Sequence, residues 1–167
     1  MPALNLLYYP DPILRKVSKK IITFDKDLRS FLNDLAETMY EFNGVGLAAP
    51  QVGVLKRVCV VDISHIGNST QFYINPEIIW SDEPVKSEEG CLSIPNYRDS
   101  VPRYRKIKVL AQSGEGIQFT QEAEDLEAFA LQHEIDHLNG VLFVDKLSML
   151  KREMFKRWFK KHGIKND

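Results

Sequence analysis

Two imidazoles and a carboxylate fall within one short run, His133-Glu134-Ile135-Asp136-His137. On a helix, residues four apart project from the same side one turn apart, so both histidines can reach a single metal ion. Glu134 follows the first of them, where its carboxylate can carry protons for a water that such a metal activates. Two imidazoles do not complete a metal site, and at least one more ligand must come from elsewhere. Where that ligand sits decides what kind of hydrolase this is.

Downstream, the extended pattern HExxHxxGxxH is matched through Gly140, but its last position is Phe143, which cannot ligate. Asp145 and Glu153 are carboxylates of the kind that complete zinc sites with two histidines. That arrangement would make a small zinc endopeptidase. However, Asp145 follows closely on the glycine, Glu153 lies in a charged run, and both read as solvated. Upstream, Glu89-Gly90-Cys91-Leu92-Ser93 contains one of only two cysteines. A thiolate binds zinc or ferrous iron strongly, and two histidines plus one cysteine leave a fourth position open. Taken alone, Cys91 reads better as a small core residue than as a ligand. A third segment, Gly44-Val45-Gly46-Leu47-Ala48-Ala49-Pro50-Gln51, has two glycines that permit close backbone approach and an amide N–H on Gln51. By itself it is a helix stop and a turn.

The elements that must position these residues can be read from periodicity. Leu28, Phe31, Leu32, Leu35 and Met39 predict a helix over residues 25 to 42, capped by Asp25 and ended by Asn43-Gly44. Runs rich in Val, Ile, Tyr and Phe predict strands at 57–63, 71–80 and 105–112, with a turn at Ser113–Gly116 leading into Ile117-Gln118-Phe119. Cys59, inside the first run, reads as a core thiol. The histidine helix is expected from Glu124 to Asn139, with Gly140 stopping it. At roughly 100° per residue, Leu126, Phe129 and Ala130 share the face of His133 and His137, and Leu131, Ile135 and Leu138 lie opposite. A helix apolar on both sides is central and buried. A last helix is expected from Ser148 to Lys161, docking Leu150, Met154, Phe155, Trp158 and Phe159 and leaving its basic residues outside. The prediction is an α+β domain, with the HExxH helix central among antiparallel β-sheets and a helix at each end.

At 167 residues the chain suits one domain, 1–167, and its 44% hydrophobic and 27% charged content is that of a globular protein. Lys plus Arg number 22 against 23 for Asp plus Glu, which excludes nothing about nucleic acid; only the clustered C-terminal cations speak. Two cysteines argue against a disulfide framework. No basic leader, signal peptide or apolar span is visible, so the expected compartment is the cytoplasm and no membrane partner is expected. His65 and His162 read as surface residues, and we expect a monomer.

Together, GVGLAAPQ, EGCLS and QHEIDHLNG, in this order, resemble the peptide deformylases. The resemblance runs from Tyr9-Pro10-Asp11-Pro12 to the basic C-terminal helix, and is to the bacterial type with a helical tail. It implies the deformylase fold and removal of the formyl group from formyl-methionyl nascent polypeptides, releasing formate. It further implies that Cys91, His133 and His137 hold a divalent metal, with Fe2+ native and Zn2+, Ni2+ or Co2+ able to replace it. Glu134 would be general base and acid, and Gln51 with the Leu92 N–H would bind the oxyanion. Val45, Leu126, Phe129 and Ala130 would line the methionine slot, while Gly46 and Arg98 would meet the peptide. Members of the family often carry an aliphatic residue where Ser87 stands, which makes this pocket rim more polar than usual. Charge complementarity suggests an ion pair of Glu89 with Arg103 behind the site. The basic helix reads either as a solvated face or as a ribosome contact.

Overall fold

A computed structural model describes residues 3–64 and 67–163. Helix α1 (Lys26–Glu41) begins where the Asp25 carboxylate accepts the Leu28 N–H at 2.9 Å, and it ends before Asn43, whose φ is +57°. Five antiparallel strands follow in meander order: β1 (Gly46–Ala48), β2 (Val58–Val61), β3 (Gln71–Cys91), β4 (Ile94–Gln112) and β5 (Gln118–Glu124). Helix α2 (Asp125–Leu138) carries the histidines, and α3 (Met149–His162) closes the described chain. Gly140, at φ +73°, ends α2; a Cβ there would meet the Arg15 carbonyl oxygen at 2.4 Å, so only glycine fits.

Strand β2 shows why the layers form. Its four residues are all buried, and alternation sends Cys59 and Val61 to one side, Val58 and Val60 to the other. Cys59 and Val61 join Tyr73, Ile107, Val109, Leu131, Ile135 and Leu138 in a core shared with α2. Val58 and Val60 join Leu28, Leu32, Leu35 and Met39 of α1. The sheet is thus packed on both faces, and α2 is buried as its double apolar stripe predicted. Cys59 is a core thiol, fully buried.

Two expectations are corrected. The strand-like runs at 71–80 and 105–112 are only the outer parts of β3 and β4, which continue as one long hairpin to a two-residue turn at Leu92-Ser93. All the strands form a single sheet rather than several. Residues 81–104 contain Pro84, Pro95 and Pro102 and many charges, so no apolar period marks them; the arms are held by main-chain pairing to each other. The second correction concerns α3. Phe155 is buried and packs edge-on against Tyr9 and Tyr97, with Trp158 and Phe159 beside it. Leu150 and Met154, expected in that face, are 71% and 55% exposed. They lie roughly 100° or more around the helix from Phe155, and Lys151 takes up the nearer position, reaching Asp99 at 3.0 Å.

Candidate active site

The end of β3 and the middle of α2 meet at Cys91, His133 and His137, whose ligand atoms all lie within 4.8 Å of one another. Cys91 Sγ is 3.4 Å from His137 Nε2, which is 3.3 Å from His133 Nε2. Both imidazoles therefore aim the same nitrogen at one point, with the sulfur closing the triangle. Burial, with His133 and Arg103 adding to it, holds His137 well below the usual imidazole pKa, so its lone pair is free. Burial also works against a cation on His133, yet Glu134, Cys91 and Glu89 around it outweigh that and favour positive charge there. A buried centre that favours a cation, faced by one sulfur and two ring nitrogens, fits a divalent metal of the iron–zinc type.

Behind these three residues stands a buried charge chain. Glu89 Oε1 lies 2.9 Å from His133 Nδ1, which leaves Nε2 for the centre. Arg103 grips the same carboxylate through Nε and Nη2 at 2.8 and 2.9 Å, and reaches Asp136 at 2.6 Å. The ion pair expected from charge alone is present, bidentate and almost fully buried. Burial tends to raise the Glu89 pKa, but Arg103 and His133 hold it at about 2. Strand alternation explains the placement: Glu89 shares the inward face of β3 while Glu88 and Gly90 point away.

Glu134 is buried, and one oxygen has no partner among the described residues. Burial pushes its carboxyl up to about 7, with Glu89 and Asp136 adding to the effect and His133 and Arg103 opposing it. Its other oxygen packs against β1, where a Cβ on Gly46 would lie 2.6 Å from it. Gly46→Ala is therefore expected to displace Glu134 and lower kcat on the order of 10²-fold, with metal content retained. Kinetics alongside metal analysis of the purified variant check this; unchanged kcat would show that Glu134 has room to yield.

Gln51 is set by its own turn. Its Oε1 accepts the Ala48 N–H at 3.0 Å, which commits Nε2 to donate toward Ser93 Oγ at 3.1 Å and Cys91 Sγ at 3.5 Å. A cavity of about 1020 Å3 opens in front of these groups. Val45, Gly46, Gln51, Leu92, Arg98, Leu126, Phe129, Ala130, His133 and Glu134 all line it, so the structure gathers every residue that the sequence assigned to substrate. Leu126, half-exposed, stands at the mouth, and Ala130 is buried deeper.

The downstream carboxylates stay away from the centre. Asp145 accepts the Leu142 N–H at 2.8 Å and pairs with Arg15, and Glu153 faces Lys156 on exposed helix. Phe143, which stands where the extended pattern wants histidine, stacks on the His133 ring instead. Sequence reasoning missed Ser93 as the partner of Gln51 and Asp136 as the partner of Arg103. Neither pairing had a local signal, since the partners lie 42 and 33 residues apart in the chain. His162 is exposed and stacks on Trp158, whereas His65 lies outside the described residues.

Fold and centre together define a class: a small α+β metallohydrolase in which one cysteine and the two histidines of an HExxH helix are gathered where they could hold a metal ion. A model of one family, polypeptide deformylase, matches residues 3–153. A peptide deformylase of Chromobacterium violaceum is 45% identical, over 99% of both chains, and one of Bartonella tribocorum is 49% identical over 98% of this chain and 94% of its own. The crystal structure of a peptide deformylase from Legionella pneumophila superposes with a TM-score of 0.90 at 47% identity, covering 95% of this chain and 94% of that one. That from Synechococcus elongatus, in complex with actinonin, gives 0.92 at 36% identity, covering 99% and 90%. The chain belongs to the polypeptide deformylase family. It is a metal-dependent enzyme that removes the N-terminal formyl group from formylated nascent peptides, and the endopeptidase alternative is set aside.

Proposed function

We propose that the reaction runs at the Cys91–His133–His137 centre on N-formylmethionyl chains in the cytoplasm, with ferrous iron as the native metal. The single observation that carries this is the convergence of Sγ and both Nε2 atoms beside the buried carboxyl of Glu134. Bound there, the metal would supply Lewis-acid activation of water and carbonyl. Glu134 takes a proton from the attacking water and hands one to the departing amine, a role supported by its raised pKa and unpaired oxygen. The Gln51 amide and the Leu92 N–H hold the oxygen that gains charge. Gln51 suits this because Ala48 fixes which end of its amide donates.

Strand β1 is an edge strand bordering the cavity, which supports pairing of Gly46 with the extended peptide backbone. Val45, Leu126, Phe129 and Ala130 offer an apolar slot for the methionine side chain, and Arg98 meets the peptide further along.

Formate release from formyl-Met-Ala-Ser by anaerobically prepared, iron-loaded protein tests the assignment. Cys91→Ser is expected to lose metal and turnover together, because serine is a poor ligand. Retention of both would return the third ligand to a carboxylate. The cations of α3 (Arg152, Lys156, Arg157, Lys160 and Lys161) are mostly exposed beside uncovered Leu150 and Met154, which supports a ribosome contact. Co-sedimentation with ribosomes should fall with salt and on deletion of residues 151–167; binding that ignores both would remove the idea.

A further inference from the structure

Ser87 is a polar group inside the cavity that the machinery above does not use. It lies on β3 two residues before Glu89, so alternation puts both side chains on the inward face. Glu89 spends its carboxylate on Arg103 and His133. Ser87, roughly 7 Å further back along the strand, lines the same cavity as Leu126, Phe129 and Ala130. The residue is only 7% exposed. Its hydroxyl has no hydrogen-bond partner among the described residues, and its oxygen remains open to the cavity. Arg98, which also lines the cavity, is turned to the Glu88 carbonyl.

An unpaired hydroxyl on a cavity wall disfavours any side chain that covers it without hydrogen bonding, since a desolvated polar group is left unmatched. A thioether is a weak acceptor. A sulfoxide at the same atom is a strong one, on a chain of the same length that branches only by the added oxygen. We propose that Ser87 is a specificity-determining residue that admits formylated peptides whose first side chain carries a hydrogen-bond acceptor, methionine sulfoxide above all. The Ser87 O–H donates to the sulfoxide oxygen; no covalent step changes, and the formyl group is hydrolysed as before. Because the sulfoxide sulfur is chiral and the strand holds Ser87 in one place, one epimer is preferred over the other. This inference rests on the site assigned under the proposed function.

The test compares kcat/KM for formyl-Met(O)-Ala-Ser, each sulfoxide epimer separately, with formyl-norleucyl-Ala-Ser, whose side chain has similar length and no acceptor. Iron-loaded wild-type, Ser87→Ala and Ser87→Thr proteins are assayed by formate release. The sulfoxide-to-norleucine ratio for the better epimer is expected to fall about tenfold in Ser87→Ala and to be kept in Ser87→Thr, which restores the hydroxyl. The ratio is internal to each protein, so a general loss of activity does not move it. A ratio that Ser87→Ala leaves unchanged overturns the proposal, as does a wild-type preference for norleucine of about a hundredfold or more. If no formylated peptide is hydrolysed by wild-type protein, the site assignment fails and takes this inference with it; norleucine turnover separates the two cases.

Discussion

Glu134→Gln is expected to lower kcat by roughly 10²–10⁴-fold, while metal content and KM stay near their wild-type values. Glutamine matches glutamate in size, and the site is tightly filled: Glu134 is 4% exposed and Gly46 packs directly on it. The substitution therefore removes the capacity to accept a proton with little change of shape. The proposed ligand atoms belong to Cys91, His133 and His137, so the centre should still load. Metal analysis and steady-state kinetics on the same preparation check both halves. A variant that turns over at the wild-type rate would end the proton-transfer role; one that arrives without metal would mean that Glu134 helps to build the centre.

Arg103→Met is the second large effect, and it concerns stability. Arg103 and the Glu89 carboxylate are both more than nine-tenths buried. Removing one partner of such a pair leaves a desolvated charge and costs about 3–5 kcal/mol, which for a chain of this length lowers Tm by roughly 10 °C. The same pair predicts a pH dependence. The Glu89 pKa lies at about 2 in the fold, against 4.5 for an ordinary glutamate. Its contribution is therefore complete above pH 4.5 and is lost as pH falls toward 2. Wild-type protein should lose stability steeply across that window, and Arg103→Met much less so. Adding Glu89→Gln to Arg103→Met should recover part of the lost Tm, because the more deeply buried of the two carboxylates that Arg103 held is no longer charged. That double variant should nevertheless hold metal about 10–100-fold less tightly, since His133 no longer faces a carboxylate. Thermal melts over pH and a metal-competition titration separate the two effects; an Arg103→Met protein that melts like wild type would mean the pair adds nothing.

The legible parts of the sequence were those written by local periodicity. His133, Glu134 and His137 share a helix, and helical spacing alone placed both imidazoles on one side. The same arithmetic placed Leu126, Phe129 and Ala130 beside them and gave α1 to within a residue at either end. Leu150 and Met154 show its limit. Period alone could not tell which side of α3 would dock, because that depends on Tyr9 and Tyr97, which approach from distant segments.

The long hairpin β3–β4 marks the other limit. Its inner halves carry prolines and charges, and their pairing is set by register across residues far apart in sequence, which no local pattern encodes. Yet this hairpin delivers Cys91 to the histidines, Glu89 to His133 and Ser87 to the cavity. By itself, the sequence determined which atoms are available to bind metal, move protons and donate to an oxyanion. It also determined the helix that presents two of the ligands, since both follow from residue type and short-range geometry. Only the tertiary structure decided that the thiol, not Asp145 or Glu153, stands beside the two imidazoles, and that Glu134 is buried deeply enough for its carboxyl to rise to about 7. Distance and desolvation are properties of the packed whole, and strand register and the layering of α2 on the sheet create both.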